Sequence, residues 1–255
     1  MTFNSNLSGR RVLLTGASSG LGAESCRSLT AAGASVAMLA RRKDRLDALE
    51  RELGERAKGF ACDVTIDADL KAAIACAAKA LGGLDAMVAV AGRGSAGTLI
   101  TGDPKGWREL LDLNLIALLT TARFTYEHFP KSGRRDLLFV GSAGGITAMP
   151  GVGMYSTGRR GLRAAVETLR LELASQNINV GMIVPGMFDT EGLIAASQVN
   201  GDVNFERDVM KSFADGGWHP GPPRAVADAI TFMLGQPEGV AINELVIRPT
   251  SQHFP

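Results

Sequence analysis

Apolar and polar positions alternate along the chain in two different rhythms. Short, nearly continuous apolar runs are typical of strands buried on both faces of a sheet, and seven such runs cover residues 10–16, 34–40, 58–64, 84–92, 136–142, 178–184 and 242–248. Between them lie stretches with the apolar spacing of helices, at about 21–32, 41–54, 68–81, 107–129, 155–175 and 225–234. In the second of these, Leu46, Leu49 and Leu53 share one face of an otherwise charged helix.

Alternating strands and helices predict parallel β-α-β units. We therefore expect an α/β fold in which residues 1–255 form a single doubly wound, Rossmann-like domain with a parallel seven-stranded sheet. No linker or break in composition precedes residue 185. The polar segment 187–220 is longer than a plain connection, which predicts a substrate loop or lid.

Composition argues against several function classes. The 255 residues carry a net charge of +1, which gives no general attraction to nucleic acid or to an anionic membrane. The first residues lack the apolar core of a signal peptide, and no apolar run is long enough to span a membrane. Cys26, Cys62 and Cys76 have no metal-binding spacing, and we expect reduced, buried thiols. The predicted protein is cytoplasmic, without nucleic-acid, membrane or metal partners.

A glycine-rich turn follows the first predicted strand. Gly16, Gly20 and Gly22 allow the backbone to turn sharply and to approach a pyrophosphate closely. The helix that begins there offers free N–H groups and a partial positive charge. Glycine-rich turns between a strand and a helix also occur for purely structural reasons, so the turn alone does not establish a dinucleotide site.

The same turn also spells G-x-S-x-G, with Ser18 in the place of a hydrolase nucleophile. A hydrolase would need a histidine and an acidic residue later in the chain. The three histidines lie in no convincing motif: His128, His219 and His253.

The end of the second predicted strand indicates which dinucleotide the site prefers. An NAD site would use an acidic residue there to bind the ribose hydroxyls, whereas this chain has Arg41 and Arg42. A guanidinium binds a 2′-phosphate, which predicts NADP(H); alternatively, both arginines merely open a solvated, charged helix. Asp63, just past the third strand, is placed to meet the adenine, or it serves only as a helix cap.

Four residues between positions 114 and 159 have the chemistry of an alcohol/carbonyl site. Ser142 follows the fifth strand, Tyr155 lies thirteen residues later, and Arg159 lies one helical turn beyond Tyr155 on the same face. Asn114 is an amide flanked by leucines inside the fourth helix. A phenol beside a cation can exchange a proton with an alcohol or carbonyl, and a serine hydroxyl can hold the substrate oxygen. Taken singly, each residue also has an ordinary structural explanation.

Together these residues resemble the short-chain dehydrogenase/reductase family from Val12 to Gln252. The matching motifs are Thr15-Gly-Ala-Ser-Ser-Gly-Leu-Gly22, Asp63-Val64, Asn114, Ser142, Tyr155-x-x-x-Arg159 and Pro185-Gly-Met-Phe-Asp-Thr190. The resemblance implies that Tyr155 is the acid/base, that Ser142 orients the substrate and that Asn114 supports a proton relay.

The resemblance also implies a cofactor site, a branch and an assembly. The implied NADP(H)-binding residues are Gly16, Ser18, Ser19, Gly20, Leu21, Gly22, Arg41, Arg42, Asp63, Val64, Ala91, Gly92, Tyr155, Arg159, Pro185, Gly186, Phe188 and Thr190. The ending Ile247-Arg-Pro-Thr250 with Gln252 is similar to the branch of NADP-dependent 3-hydroxy-acid and serine dehydrogenases and clavulanate-type aldehyde reductases. Members are commonly tetramers, so a homotetramer or homodimer is expected.

Two positions depart from the family pattern. The usual N-N-A-G after the fourth strand is Ala89-Val-Ala-Gly92 here, which removes two amides that brace the sheet and the cofactor site. The usual lysine four residues after the tyrosine is Arg159. An arginine can bind the ribose and favour the phenolate, but it does not give up its proton.

Two hypotheses about function follow from this pattern. The first is an NADP(H)-dependent oxidoreductase that acts on a small alcohol/carbonyl pair. The second is an NADP-binding protein with little or no turnover, a sensor or an assembly subunit. Substrate contacts are expected from Arg93–Ser95, Ala143–Met149 and the 187–220 segment with its Trp218. Arg93 is either a ligand for a substrate carboxylate or an ordinary solvent-facing residue.

Overall fold

The strands of this protein form one parallel sheet. The computed structural model describes residues 6–95, 97–148, 150–191, 215, 217 and 219–252. The strands are β1 Arg11–Thr15, β2 Ser35–Ala40, β3 Ala57–Ala61, β4 Ala86–Ala89, β5 Arg135–Val140, β6 Ile178–Pro185 and β7 Glu244–Ile247. Their order is β3-β2-β1-β4-β5-β6-β7, and every pairing is parallel. The predicted α/β, doubly wound, seven-stranded architecture is confirmed.

Helices connect the strands. They are α1 Gly20–Ala31, α2 Lys43–Leu53, α3 Asp67–Leu81, α4 Pro104–Leu111, α5 Ala117–Tyr126, α6 Gly153–Leu173 and α7 Pro223–Leu234. The continuous helix predicted over 107–129 is wrong in one respect, because the π-helical turn Asp112–Ile116 separates α4 from α5. This helical region also begins earlier, since the Asp103 carboxylate accepts hydrogen bonds from the N–H groups of Lys105 and Gly106.

Each central strand contributes side chains to two hydrophobic cores, one on each face of the sheet. Leu13 packs into the core under α3, α5 and α6, while its neighbours Val12 and Leu14 pack into the core under α1, α2 and α7. Leu137 and Leu138 divide in the same way along β5. Burial on both faces explains why the strands read as continuous apolar runs rather than as alternating ones.

The carboxyl ends of the strands define the edge where the site lies. The chain runs from β1 outward to β3 and then returns to β4 on the other side of β1, so the connections diverge between β1 and β4. In open α/β sheets such a divergence leaves a crevice at the carboxyl ends of the strands. The turns that carry the predicted site residues, after β1, β2, β4, β5 and β6, all meet at this edge.

The amino ends of the strands carry ion pairs instead. Arg11 Nη2 lies 2.6 Å from Asp85 Oδ1, and Arg134 Nη2 lies 2.9 Å from Asp136 Oδ1. Burial alone would raise the pKa of Asp85, but the hydrogen bonds and charge of Arg11 outweigh it and lower that pKa. This edge stabilises the sheet far from the crevice.

The cysteines divide between interior and surface. Cys26 and Cys62 are buried, and burial raises the pKa of both thiols, that of Cys62 to about 12. Cys76 is exposed on α3, so the prediction of three buried thiols is wrong for that residue. The core positions of α3 are taken by other residues, namely Leu70, Ala73, Ile74, Ala77 and Ala78.

Much of the predicted loop segment 187–220 lies outside the described residues. Of this segment, the structure describes residues 187–191, 215, 217, 219 and 220. Trp218 and Met149, both expected near the substrate, are also outside it. The single-domain organisation and the lid stay predictions. Within the described residues, no helix has both the length and the apolar content needed to cross a membrane.

Candidate active site

The glycine-rich turn after β1 is shaped by close backbone contacts. Gly16 has φ +74°, and a Cβ there would lie 3.0 Å from the Ala91 backbone. A Cβ on Gly22 would overlap the carbonyl oxygen of Gly16. Gly20 has φ +52° and faces Thr190, whose Cβ would lie 3.2 Å from an added Cβ. The turn therefore requires glycine, as a pyrophosphate cradle does.

The first turn of α1 is open to an anion. Ser19 is its N-cap residue, yet the Ser19 side chain makes no capping hydrogen bond. Its hydroxyl instead accepts a 2.6 Å hydrogen bond from Arg42 Nη2, and Arg42 Nε and Nη2 donate to Ser18 Oγ at 3.2 and 3.0 Å. Uncapped N–H groups with a guanidinium nearby favour a bound phosphate. The arginine neighbour of Ser18 gives no support to the hydrolase interpretation.

Arg41 and Arg42 differ in position, although the sequence treats them alike. Arg41 extends into solvent with its side chain 76% exposed, and its Nη1 lies 3.8 Å from Asp63 Oδ2. Asp63 Oδ1 accepts hydrogen bonds from the Thr65 N–H and hydroxyl at 3.0 and 2.7 Å. Burial would raise the pKa of Asp63, but the Thr65 hydrogen bonds and the Arg41 charge lower it. Val64 is buried beside it.

The turn after β4 lacks the family's two amides, and Thr15 holds it in place. The Thr15 hydroxyl accepts hydrogen bonds from the N–H groups of Val90 and Ala91 at 3.2 and 3.3 Å. Thr15 itself is 1% exposed. Part of the bracing is thus supplied from β1, without the missing side chains.

Asn114 joins the π-helical turn to the loop after β4. Its Oδ1 accepts a hydrogen bond from the Arg93 N–H at 2.9 Å, and its Nδ2 donates to the Arg93 carbonyl at 2.8 Å. The side chain is fully buried, so these contacts satisfy an amide that would otherwise destabilise the helix. The close approach of α6 to this turn uses Gly158, where an added Cβ would lie 3.3 Å from Leu111.

Ser142 and Tyr155 both lie close to Gly144. The Ser142 Oγ accepts a 3.2 Å hydrogen bond from the Gly144 N–H. A Cβ on Gly144 would lie 3.1 Å from Tyr155 Cε1 and 3.6 Å from Ser142 Oγ. The tyrosine ring therefore packs against this short turn, which brings the phenol-bearing side chain and the serine hydroxyl to the same part of the crevice.

Arg159 is buried directly behind the tyrosine. Its guanidinium carbon lies 5.3 Å from the Tyr155 ring centroid, and its Nη1 donates to the Val140 carbonyl at 3.2 Å. The residue is 6% exposed, and its buried Nε has no hydrogen-bond partner within the described residues. A Cβ on Gly92 would lie 2.5 Å from Arg159 Nη2, and one on Gly145 3.0 Å from Arg159 Cβ. Two glycines thus make room for this arginine.

The turn after β6 is held from the end of the chain. Gln252 Oε1 accepts a 2.9 Å hydrogen bond from the Met187 N–H, and a Cβ on Gly186 would overlap that oxygen. Phe188 is buried and forms an isolated parallel bridge with Gly221. Pro185 ends β6, so this turn directs Thr190 back toward the glycine-rich turn.

The structure brings some predicted residues together and separates others. Ser142, Tyr155, Arg159 and Asn114 gather at the crevice, but the Arg93 side chain extends toward Glu109, with Nη2 to Oε2 at 3.7 Å. Sequence reasoning missed the ion pair between Arg45 and Glu191. It lies at the phosphate end of the crevice, by which we mean the part next to the glycine-rich turn and Arg42. The only sequence signal was an acidic residue immediately after Thr190.

The chain is similar to known proteins over most of its length. The family model described as short chain dehydrogenase matches residues 10–200. Farnesol dehydrogenase of Aedes aegypti is 30% identical over 256 residues, which cover 96% of this chain and 98% of the mosquito protein. Glycine betaine reductase ATRR of Emericella nidulans is 30% identical over 250 residues, and this chain spans only 19% of that protein's length.

A solved structure shares the fold. Serine dehydrogenase in a closed form complexed with NADP+ superposes with a TM-score of 0.86 over 95% of this chain and 96% of that one, at 24% identity. At this identity the likeness concerns the fold alone.

Proposed function

This chain belongs to the short chain dehydrogenase family of oxidoreductases, and from that premise we propose that it interconverts a small alcohol and its carbonyl compound by NADP(H)-dependent hydride transfer. The observation that carries the proposal is the cluster at the carboxyl end of β5, where Arg159 lies against the Tyr155 ring, and Tyr155 and Ser142 both lie beside Gly144. A phenol, a cation and a hydroxyl in one crevice are the groups that this chemistry needs.

The crevice fits a dinucleotide phosphate. Gly16, Gly20 and Gly22 would hold the pyrophosphate at the open end of α1, and Arg42 with Ser18 and Ser19 would hold the 2′-phosphate. The buried Nε of Arg159, which has no hydrogen-bond partner in the part of the chain that the structure describes, is a donor that a ribose hydroxyl would satisfy.

The remaining contacts to NADP(H) would come from three sides of the crevice. Asp63 and Val64 would meet the adenine, Ala91 and Gly92 the middle of the cofactor, and Pro185–Thr190 its nicotinamide end. When bound, NADP(H) supplies or accepts the hydride.

Tyr155 would donate or accept the proton at its phenol oxygen. The Arg159 guanidinium places a positive charge beside the phenol ring, with its central carbon 5.3 Å from the Tyr155 ring centroid. This charge is permanent, because arginine does not deprotonate. Tyr155 would therefore exchange protons with a group other than Arg159.

Ser142 would orient the substrate. Its oxygen accepts the Gly144 N–H, so its own hydrogen is available to a substrate carbonyl oxygen. This hydrogen bond would align the carbonyl with the Tyr155 phenol.

Arg159 also favours the second candidate, an NADP-binding protein with weak or no turnover. The family's lysine releases a proton, whereas the buried guanidinium is committed to the Val140 carbonyl. The loss of two amides at Ala89 and Val90 points the same way.

NADPH consumption measured against a panel of small aldehydes, ketones and hydroxy acids separates the two candidates, with parallel titrations of NADPH and NADH. We expect NADPH to bind more tightly than NADH and at least one carbonyl compound to be reduced. If NADPH binds but no compound in the panel is reduced, and Arg159→Lys switches activity on, the second candidate is correct. If neither dinucleotide binds, both candidates are wrong.

The assembly is part of the same proposal. A homotetramer or homodimer acting on a small molecule is expected, and the mass of the native protein in solution tests it.

A further inference from the structure

Three arginines and two carboxylates surround the predicted 2′-phosphate position. Arg45 Nη1 lies 2.8 and 2.7 Å from the two carboxylate oxygens of Glu191, and Arg42 Nη1 lies 3.5 Å from Glu191 Oε2. With Arg41 paired to Asp63, three positive groups face two negative ones. The cluster therefore carries a net charge of +1, much less than its arginines alone suggest.

We propose that Glu191 is a coenzyme-specificity residue whose carboxylate occupies the guanidinium groups that a 2′-phosphate would use, and so lowers the preference for NADP(H) over NAD(H). This inference rests on the proposed function, because it assigns a role within the same cofactor site. It goes beyond it by naming a competitor that the protein itself supplies.

Glu191 and a phosphate would share the same donors. Arg42 makes its hydrogen bonds to Ser18 and Ser19 with Nε and Nη2, while Nη1 is directed to Glu191. A phosphate bound over the two serines would need Arg42, and its charge would face the Glu191 carboxylate. Like charges repel, so bound NADP(H) and the Glu191 ion pairs would oppose each other.

The Glu191 carboxylate is held weakly by Arg42 and Arg45, so a phosphate can displace it. The side chains of Arg42, Arg45 and Glu191 are 43%, 41% and 56% exposed. Exposed ion pairs of this kind contribute little to stability. The hydrogen bonds from Arg45 lower the pKa of Glu191 below its usual range, which keeps the carboxylate charged at neutral pH.

The position of Glu191 in the chain keeps it near the site. It follows Thr190, which faces Gly20 in the glycine-rich turn. The backbone thus anchors the carboxylate beside the phosphate end, and only the side chain has to turn when a phosphate binds. NAD(H), which has no 2′-phosphate, would leave the Glu191 ion pairs in place.

The test is the ratio of NADPH to NADH dissociation constants at low ionic strength in the full-length protein. Glu191→Gln keeps the size of the side chain and removes its charge, and we expect NADPH to bind about 3- to 10-fold more tightly, with NADH changed less than about twofold. Glu191→Ala is expected to change the ratio in the same direction. The matched control is Asp47→Asn, which removes a carboxylate that pairs with Lys43 elsewhere on α2. This control should leave the ratio within about twofold.

Two results would overturn the inference alone: an unchanged ratio in both Glu191 variants, or weaker NADPH binding, which would mean that Glu191 positions the arginines for the phosphate. Thermal midpoints of the variants check folding. Absence of dinucleotide binding in every variant would instead overturn the proposed function, and this inference with it.

Discussion

Two parts of the crevice contain arginine but hold it in opposite ways. We call them the phosphate end, around Arg42 and Arg45, and the chemical end, around Tyr155 and Arg159. Arg42 and Arg45 lie at the surface and share their hydrogen bonds with serine hydroxyls and one carboxylate. Arg159 is buried, bonded to the Val140 carbonyl and enclosed by Gly92 and Gly145. Surface ion pairs exchange readily with ligands and are screened by salt, whereas a buried cation depends on its packing.

Under the proposed function, this difference separates binding from chemistry within one site. A change at the phosphate end should alter which dinucleotide binds and how tightly, and should leave the fold intact. A change at the chemical end should alter packing and proton transfer together, because the same side chains would serve both.

The largest effect is expected at the phenol. Tyr155→Phe removes the oxygen that we propose transfers the proton and keeps the ring that packs on Gly144, so turnover should fall by about 100-fold or more. NADPH affinity should change little. Steady-state rates and cofactor titration measure the two separately. Undiminished turnover in this variant would rule out the proposed role of Tyr155.

The second-largest effect is expected from a substitution that adds one methyl group beside Arg159. Gly92→Ala would place a Cβ 2.5 Å from Arg159 Nη2 and 2.8 Å from Asn114 Oδ1. Both neighbours are held by other hydrogen bonds, so we expect about a tenfold loss of turnover and a destabilisation of ~1–3 kcal/mol. Activity assays and denaturant unfolding measure these.

Gly106→Ala is the matched control, because no atom of the described residues lies within 4 Å of an added Cβ at that helical position. It should be neutral or stabilise the protein by up to ~1 kcal/mol. Equal behaviour of the two variants would mean that the packing around Arg159 is looser than the structure indicates.

At the phosphate end, the two adjacent arginines should differ. Arg42→Ala should weaken NADPH binding by about tenfold and NADH binding far less, since a charge-assisted phosphate contact contributes ~1.5–3 kcal/mol. Arg41→Ala should have a smaller effect because its guanidinium lies out in solvent beside Asp63. Turnover at saturating cofactor should survive both. A larger loss in Arg41→Ala would reverse this assignment.

The smallest effect belongs to the amino end of the sheet, which touches neither half of the site. The depressed pKa of Asp85 means that its ionised form stabilises the fold above about pH 4, the pKa of an unfolded aspartate, and that this contribution disappears as the pH falls through the folded-state value. Asp85→Asn should destabilise the protein by ~1 kcal/mol at pH 7 and progressively less below pH ~5, with cofactor binding unchanged. Unfolding curves across that range test the sign.

The fold was largely predictable because strand burial leaves a strong local pattern. The runs at 10–16 and 136–142 coincide with β1 and β5 to within two residues at each end. β3 ends at Ala61, three residues before the apolar run does, because Cys62 and Val64 pack into the core after pairing has stopped.

The site was predictable only where chemistry follows from residue type. Tyr155 and Arg159 are one helical turn apart, so their contact follows from local geometry. The Arg45–Glu191 contact joins residues 146 positions apart, and no local pattern specifies it. The π-helical turn is likewise invisible in the sequence, because it accompanies a contact of the Asn114 amide with the main chain of Arg93, 21 positions away.

That π-helical turn makes the site sensitive to chain length within a helix. Asp112–Ile116 holds one residue more than a regular α-helical turn would. Deleting a single residue there would let the segment relax into an unbroken α-helix, in which the helices on either side keep their faces and only the residues of the turn itself are reoriented. The helix would survive such a deletion, but Asn114 would no longer face the Arg93 main chain. An alignment gap of one residue at this point would therefore mark a protein that keeps the fold but lacks the hydrogen bonds between the Asn114 side chain and the loop after β4.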